Sequence, residues 1–237
     1  MLDLGITNLA ILMKDGDGSR ILEETVLEKD LGVLVSYDLK VEQQCDKAVK
    51  KAMRVLGMIK RSFKKLDEES LRTLYYTYVR PHLEYCIQAW LPYLKKDINK
   101  LEKVQRRATK LIPRLSRLQY EERLERLRLY PLEQRRLRGD LIETYKILTG
   151  KENVNPDLFF KRATTSNLRG NSMKLFKGRS RLVQRQNFFS QRVVNYWNNL
   201  PESVVTSGTT NTFKNRLDRH WSDKKWETIK AWGLLLS

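Results

Sequence analysis

Two cysteines in 237 residues, Cys45 and Cys86, are too few for a disulfide framework. Both fall on apolar helical faces, where a small buried thiol is the expected form, and a reducing compartment fits them. Long apolar runs are missing too. The opening MLDLGITNLAILMK is too short to span a bilayer, carries Asp3 and lacks a basic n-region, so neither a signal peptide nor a membrane helix is expected. Acids are scarce: 28 Asp and Glu against 46 Lys and Arg give a net charge of +18. This excess favours a polyanionic partner, nucleic acid ahead of anionic membrane; the cysteine usage and the opening segment together lead to the expectation of an intracellular protein, nuclear or cytoplasmic, and not a secreted one.

The motifs of catalysis are missing as well. Two-metal nucleotidyl transfer needs clustered carboxylates, yet no Asp-Asp pair occurs, and the glutamate pairs at 23–24, 68–69 and 121–122 lie on separate elements beside bases. His82 and Cys86 share a helical face, but no second Cys/His pair completes a zinc site. No GxSxG, Walker loop or dinucleotide glycine pattern is found. The expectation is a chain without a metal, a cofactor or a small-molecule substrate of its own.

What is present is mostly helical patterning. Residues 97–112, DINKLEKVQRRATKLI, divide on a helical wheel into an apolar arc, Ile98, Leu101, Val104, Ala108, Leu111 and Ile112, and a basic arc, Lys100, Lys103, Arg106, Arg107 and Lys110. Glu102 is the only acid after Asp97, so the cations lack the local relief of i, i+4 pairs. The basic arc reads either as a nucleic-acid surface or as a solvated face. Residues 41–64 repeat the division, with Val41, Cys45, Ala48, Ala52, Val55, Leu56, Ile59 and Phe63 opposite Lys47, Lys50, Lys51, Arg54 and Arg61.

Other helices follow from punctuation. Asp67 is an N-cap, Pro81 kinks or restarts the helix after it, LEYCIQAW passes through the core, and Pro113 limits the helix at 97–112. Residues 120–129 alternate acids and bases as a salt-bridged surface helix. Pro131 opens a helix at its first position and Gly150 caps its end. Arg135, Arg136 and Arg138 stand near that helix's positive N-terminal end, where they either dock a phosphate or are neutralised by Glu133, Asp140 and Glu143. Only residues 8–36 read as strands, NLAILM, RILEETV and LGVLVS, with a turn at 15–18.

The strongest charge asymmetry is at 158–201, where nine Lys or Arg residues meet no acid. Arg162, Arg169, Lys174, Lys177, Arg179, Arg181 and Arg185 alternate with Phe159, Phe160, Phe176, Phe188 and Phe189, a mixture suited to phosphates and unpaired bases. The other reading is a basic linker that its phenylalanines anchor to the core. Short helices then follow at 187–200, with Phe189, Val193, Val194 and Trp197 inward, and at 212–221. The tail with Trp226, Trp232 and GLLLS docks, at most, on the body.

Five blocks in order, EKDLGVLV (28–35), LYYTYVRPHLEYCIQAWLPY (74–93), LEKVQRRATKLI (101–112), LEQRRLRGDLIETYKIL (132–148) and FFSQRVVNYWNNLPESVV (188–205), resemble the C-terminal part of LINE-type, non-long-terminal-repeat retrotransposon reverse transcriptases of the jockey and chicken-repeat group. The resemblance implies that Leu31 and Gly32 belong to a primer-grip-like strand that follows the palm. It also implies that the helices after them form a thumb and C-terminal extension holding RNA or an RNA–DNA hybrid. The magnesium-binding Asp-Asp motif, the fingers and the endonuclease would lie upstream of residue 1; residues 1–27 match poorly, Pro113 interrupts the pattern, and the zinc knuckle of some relatives is absent.

The expected fold is therefore mainly α, a thumb-like helical bundle with a small N-terminal β remnant. Its expected parts are the remnant at 1–40, the bundle at 41–150, a basic linker at 151–186 and a small helical segment at 187–237. The expected function is template and primer grip, with Mg2+ needed only by the absent palm. The alternatives are a reverse transcriptase whose palm is supplied by another chain or missing from the gene as read, and a decayed element copy with no selected role.

Overall fold

The computed structural model describes residues 25–163, 170–222 and 224, and the backbone of 12–15 and 18–21. The expected strand start at 8–11, the centre of the turn at 15–18, Arg169 and the tail tryptophans lie outside the described residues. The protein is mainly helical, with its β structure in short antiparallel pairs. No helix among the described residues is long and apolar enough to cross a membrane.

Two hairpins come first, β1 (Leu12–Asp15) with β2 (Gly18–Ile21), and β3 (Leu27–Asp30) with β4 (Val33–Ser36). The second corrects the expected LGVLVS strand. Glu28, Lys29 and Asp30 are themselves strand residues, while Leu31 and Gly32 form the turn, at φ 43° and 87°. Two central residues with positive φ make the tight turn that matches strand twist; glycine takes this freely, and Leu31 does so at about 1 kcal/mol.

The amphipathic pattern at 41–64 becomes α1 (Glu42–Ser62), burying Cys45, Ala48, Ala52, Leu56 and Ile59. Phe63, just past its end, is exposed. In α2 (Glu68–Leu74) the Asp67 carboxylate accepts the Ser70 N–H at 2.7 Å, the expected cap. A π-helical turn, Tyr75–Val79, continues directly into α3 (Arg80–Glu84), so the helical run does not stop, and Pro81 sits in the first turn of α3 just after the widened turn. After α3 the chain breaks at Cys86, φ 53°, before α4 (Ile87–Trp90). LEYCIQAW is thus not uniformly internal. Leu83, Ile87 and Trp90 are buried, whereas Tyr85 and Cys86 are exposed, because the left-handed residue swings the intervening turn outward.

Next come α5 (Lys95–Ala108), α6 (Pro113–Ser116), α7 (Tyr120–Arg126) and α8 (Leu132–Leu148). Pro131 stands at the cap of α8, one residue earlier than expected, and Gly150 takes φ 67° so that Gly150 and Lys151 N–H close on the Ile147 and Lys146 carbonyls. The expected salt-bridged helix at 120–129 packs instead. Tyr120, Arg123 and Leu124 of α7 are buried, and among the described residues no ion pair forms within it. Its start is closed by a reciprocal box between Gln119 and Glu122.

The remainder wraps the second half of α8. A short pair, β5 (Lys161–Arg162) with β6 (Leu175–Phe176), precedes α9 (Val183–Gln186), α10 (Phe189–Arg192), α11 (Val194–Asn198), α12 (Glu202–Val205) and α13 (Thr210–Ser222). One buried cluster runs from Val33 to Leu132 and a second from Leu137 to Trp221, so the packing divides inside α8. The segment at 151–186 contributes Phe160 and Leu175 to the second cluster, and Asn171 donates to the carbonyls of Trp197 and Leu200, both at 3.0 Å.

Candidate nucleic-acid interface

The packing of α1 against α5 decides where cations gather. Lys96 meets Glu42 at 2.6 Å, and Lys100 meets Glu42 at 3.1 Å and Asp46 at 2.8 Å. The bonded pairs advance together by four residues on each helix, so the two helices run parallel along a shared seam. Over its first turns this seam is neutralised. Lys100 therefore leaves the expected basic arc, since it also lies 3.4 Å from buried Asp97. One and two turns further on, α1 presents Lys50 and Arg54 while α5 presents Lys103 and Arg107, followed by Lys110; all five are exposed and none has an ion-pair partner among the described residues.

The acid that could have relieved this face is turned inward. Glu102 accepts the Tyr120 hydroxyl and, at 3.1 Å, the Leu132 N–H. Beside it buried Gln105 accepts from the Tyr75 hydroxyl at 2.6 Å and donates to Tyr130 O at 3.0 Å. Burial, with the nearby Glu102 charge, raises the Tyr120 phenol well above its ordinary value. Arg106 covers the Tyr120 ring at 3.8 Å, so it both roofs this network and stands exposed beside Arg107.

Arg135 and Arg138 of α8 are engaged by carboxylates other than the expected ones. Arg135 makes two bonds to Glu84, at 2.6 and 3.2 Å, and Arg138 two to Asp218, both at 2.7 Å. Arg136 is 2% exposed and points its guanidinium into the interior, where Nε and Nη2 have no partner and burial lowers its proton affinity. Arg135 and Arg138 hold helices together, and the three arginines do not form one anion site. Asp140, expected to relieve them, is instead bound by Arg192 at 2.8 and 3.0 Å.

In the acid-free stretch, Arg162, Lys177, Arg179, Arg181 and Arg185 are exposed, whereas Lys174 is half-buried and has a bonding partner. Burial of its surroundings lowers the Lys177 ammonium from its ordinary value. The phenylalanines divide into two groups. Phe160 is buried and meets Phe189 edge-on at 5.6 Å, anchoring the segment, while Phe176 and Phe188 stay exposed and Arg185 lies 5.3 Å over the Phe188 ring. The anchoring role thus falls to Phe160, with Phe189 packed against the same cluster. Leu31 is 82% exposed at the hairpin tip, its carbonyl held by the Tyr85 hydroxyl at 2.9 Å.

Among the described residues no three His, Cys, Asp or Glu side chains gather as a metal site. No protein-family model, curated protein or solved structure matches the chain.

Proposed function

We propose that this chain binds RNA or an RNA–DNA hybrid, gripping the strand pair with helices rather than acting on it. In this reading it is a thumb-like part of a retrotransposon-type reverse transcriptase. The observation that carries the proposal is the exposed cations of the paired helices α1 and α5: past the ion-paired start of their seam, Lys50, Arg54, Lys103, Arg107 and Lys110 are exposed and without an ion-pair partner among the described residues. A ridge of cations on two parallel helices meets successive phosphates, and the counterions released make binding steeply salt-dependent.

The test is Lys50→Glu, Arg54→Glu, Lys103→Glu and Arg107→Glu combined, read by anisotropy with a labelled hybrid. Binding by the parent chain should weaken as salt rises, with a log–log slope of about 0.7 to 0.9 per phosphate contacted, and the variant's slope should be shallower by about 3. Its melting temperature should stay near the parent's, since these side chains are exposed. Parent affinity that is unmoved between low and physiological salt refutes the reading. Arg106 is left in place because it also covers Tyr120.

A second reading, a polymerase completed by a palm on another chain or encoded upstream in the same gene, is favoured by the β3–β4 hairpin, which exposes Leu31, Val35, Tyr37 and Leu39 and pairs with no third strand among the described residues. Genomic sequence upstream of Met1 with a continuous frame and an Asp-Asp motif would support the form in which the palm is encoded upstream, and stop codons throughout would oppose that form.

A further inference from the structure

Beneath the turn of the β3–β4 hairpin lies a cavity of about 370 Å³, lined by Lys29 of β3, Lys47 and Lys51 of α1, and Pro81, His82 and Tyr85 at α3. Alternation along β3 sends Lys29 to the opposite side from Glu28 and Asp30, so the lysine reaches this space without its acidic neighbours. Lys47 and Lys51 are one turn apart and share a face of α1. No carboxylate stands among the described residues that line the cavity.

The frame around the lysines is built and held. Lys47 Nζ donates to the Gly32 carbonyl at 2.8 Å, the Tyr85 hydroxyl holds the Leu31 carbonyl, and Gly32 sits so close that a Cβ there would touch the Tyr85 ring at 3.5 Å. Burial first, and then Lys29 and Lys51, lower the Lys47 ammonium from its ordinary value, as expected for cations that crowd one another without an anion.

We propose that this cavity binds a phosphomonoester, the terminal phosphate of a nucleic-acid strand or of a free nucleotide. Three cations facing one space suit a group carrying about −1.5 to −2 charges near neutral pH better than the single charge of a backbone diester. Lys29, Lys51 and the remaining Lys47 donors supply hydrogen bonds, and the aromatic and proline wall leaves room for the attached sugar. The strand-end form rests on the proposed nucleic-acid binding; the nucleotide form does not.

The experiment uses the full chain with matched oligonucleotides bearing a 5′-phosphate, a 3′-phosphate or hydroxyl ends, and separately a nucleoside monophosphate and inorganic phosphate followed by calorimetry. The variant is Lys29→Met with Lys51→Met, both exposed, leaving Lys47 on its Gly32 carbonyl. A strand-end site shows about tenfold tighter binding of one phosphorylated oligonucleotide, the variant abolishing that advantage while leaving the hydroxyl form unchanged. A nucleotide site shows monophosphate binding that the variant removes and oligonucleotide ends that bind alike. If no oligonucleotide binds at all, the nucleic-acid reading fails, and monophosphate binding alone decides the cavity. Equal affinity for all ends with no monophosphate binding overturns the proposal. So does a variant that weakens every ligand equally, since the lysines would then act only through bulk charge.

Discussion

At the scale of single residues, packing separates side chains of one type into different chemical roles. Cys45 is fully buried, and burial, followed by the charge of Asp97, pushes its thiol up to about 12. Cys86 is exposed at a left-handed break. Only a thiolate alkylates, so a neutral iodoacetamide reagent at pH 8 should label one cysteine per native chain and two in denaturant, with peptide mapping placing the native label on Cys86. Labelling of Cys45 in the native protein would contradict its burial. The same division runs through the arginines. Arg107 is free on the surface, Arg106 covers an aromatic ring, Arg135 and Arg138 clamp carboxylates, and Arg136 is internal. One-dimensional order shows that these residues are cations; it does not show which carboxylate from 50 to 80 residues away will arrive. Glu84 and Asp218 were therefore invisible as partners, whereas Glu133, Asp140 and Glu143, near in sequence, looked sufficient.

At the scale of elements, α8 holds the fold together. Its first turns close the cluster around Leu132, its last three turns bury Leu141, Tyr145 and Leu148 in the second, and the Tyr145 hydroxyl donates to the Ser207 carbonyl before α13. Between these parts Arg192 binds Asp140 twice and the carbonyls of Asn187 and Gln88, tying α10 to α8 and α4. Asp140 is nearly solvent-free, and burial raises its carboxyl above the ordinary value despite Arg192. Arg192→Leu should therefore lose about 3–5 kcal/mol in urea unfolding, because the carboxylate is left unpaired in the interior. Adding Asp140→Leu should recover part of that loss. A single-variant loss under 1 kcal/mol would show that the pair is wetter than the structure has it. The helices themselves were legible beforehand: Asp67 and Gly150 act through local backbone chemistry, so their positions predict caps directly. The π-helical turn and the left-handed Cys86 were not legible, since tertiary packing imposes them against local preference.

At the scale of the whole molecule, two apolar clusters share one helix and cannot separate without breaking it. Urea unfolding should be a single transition, with fluorescence and far-UV circular dichroism coinciding both in Trp90→Phe and in the double variant Trp197→Phe with Trp221→Phe, since Trp90 belongs to the first cluster and Trp197 and Trp221 to the second. Two separated midpoints would mean that α8 frays between them. The electrostatics also belong to this scale. A net charge of +18 predicts a polyanionic partner from composition alone, but composition cannot say which cations remain unspent after folding. By itself, the sequence determined the helical class, the caps and breaks, the absence of a disulfide framework and the basic excess, because these depend on local backbone chemistry, residue counts and the 3.6-residue period. The tertiary structure alone decided that Glu42 and Asp46 neutralise one end of the α1–α5 seam while Lys50, Arg54, Lys103 and Arg107 further along the two helices stay exposed and unpaired, and that Lys29 joins Lys47 and Lys51 around one cavity. Coulombic pairing acts over a few ångströms of space, and only folding brings residues that far apart in the chain within that reach.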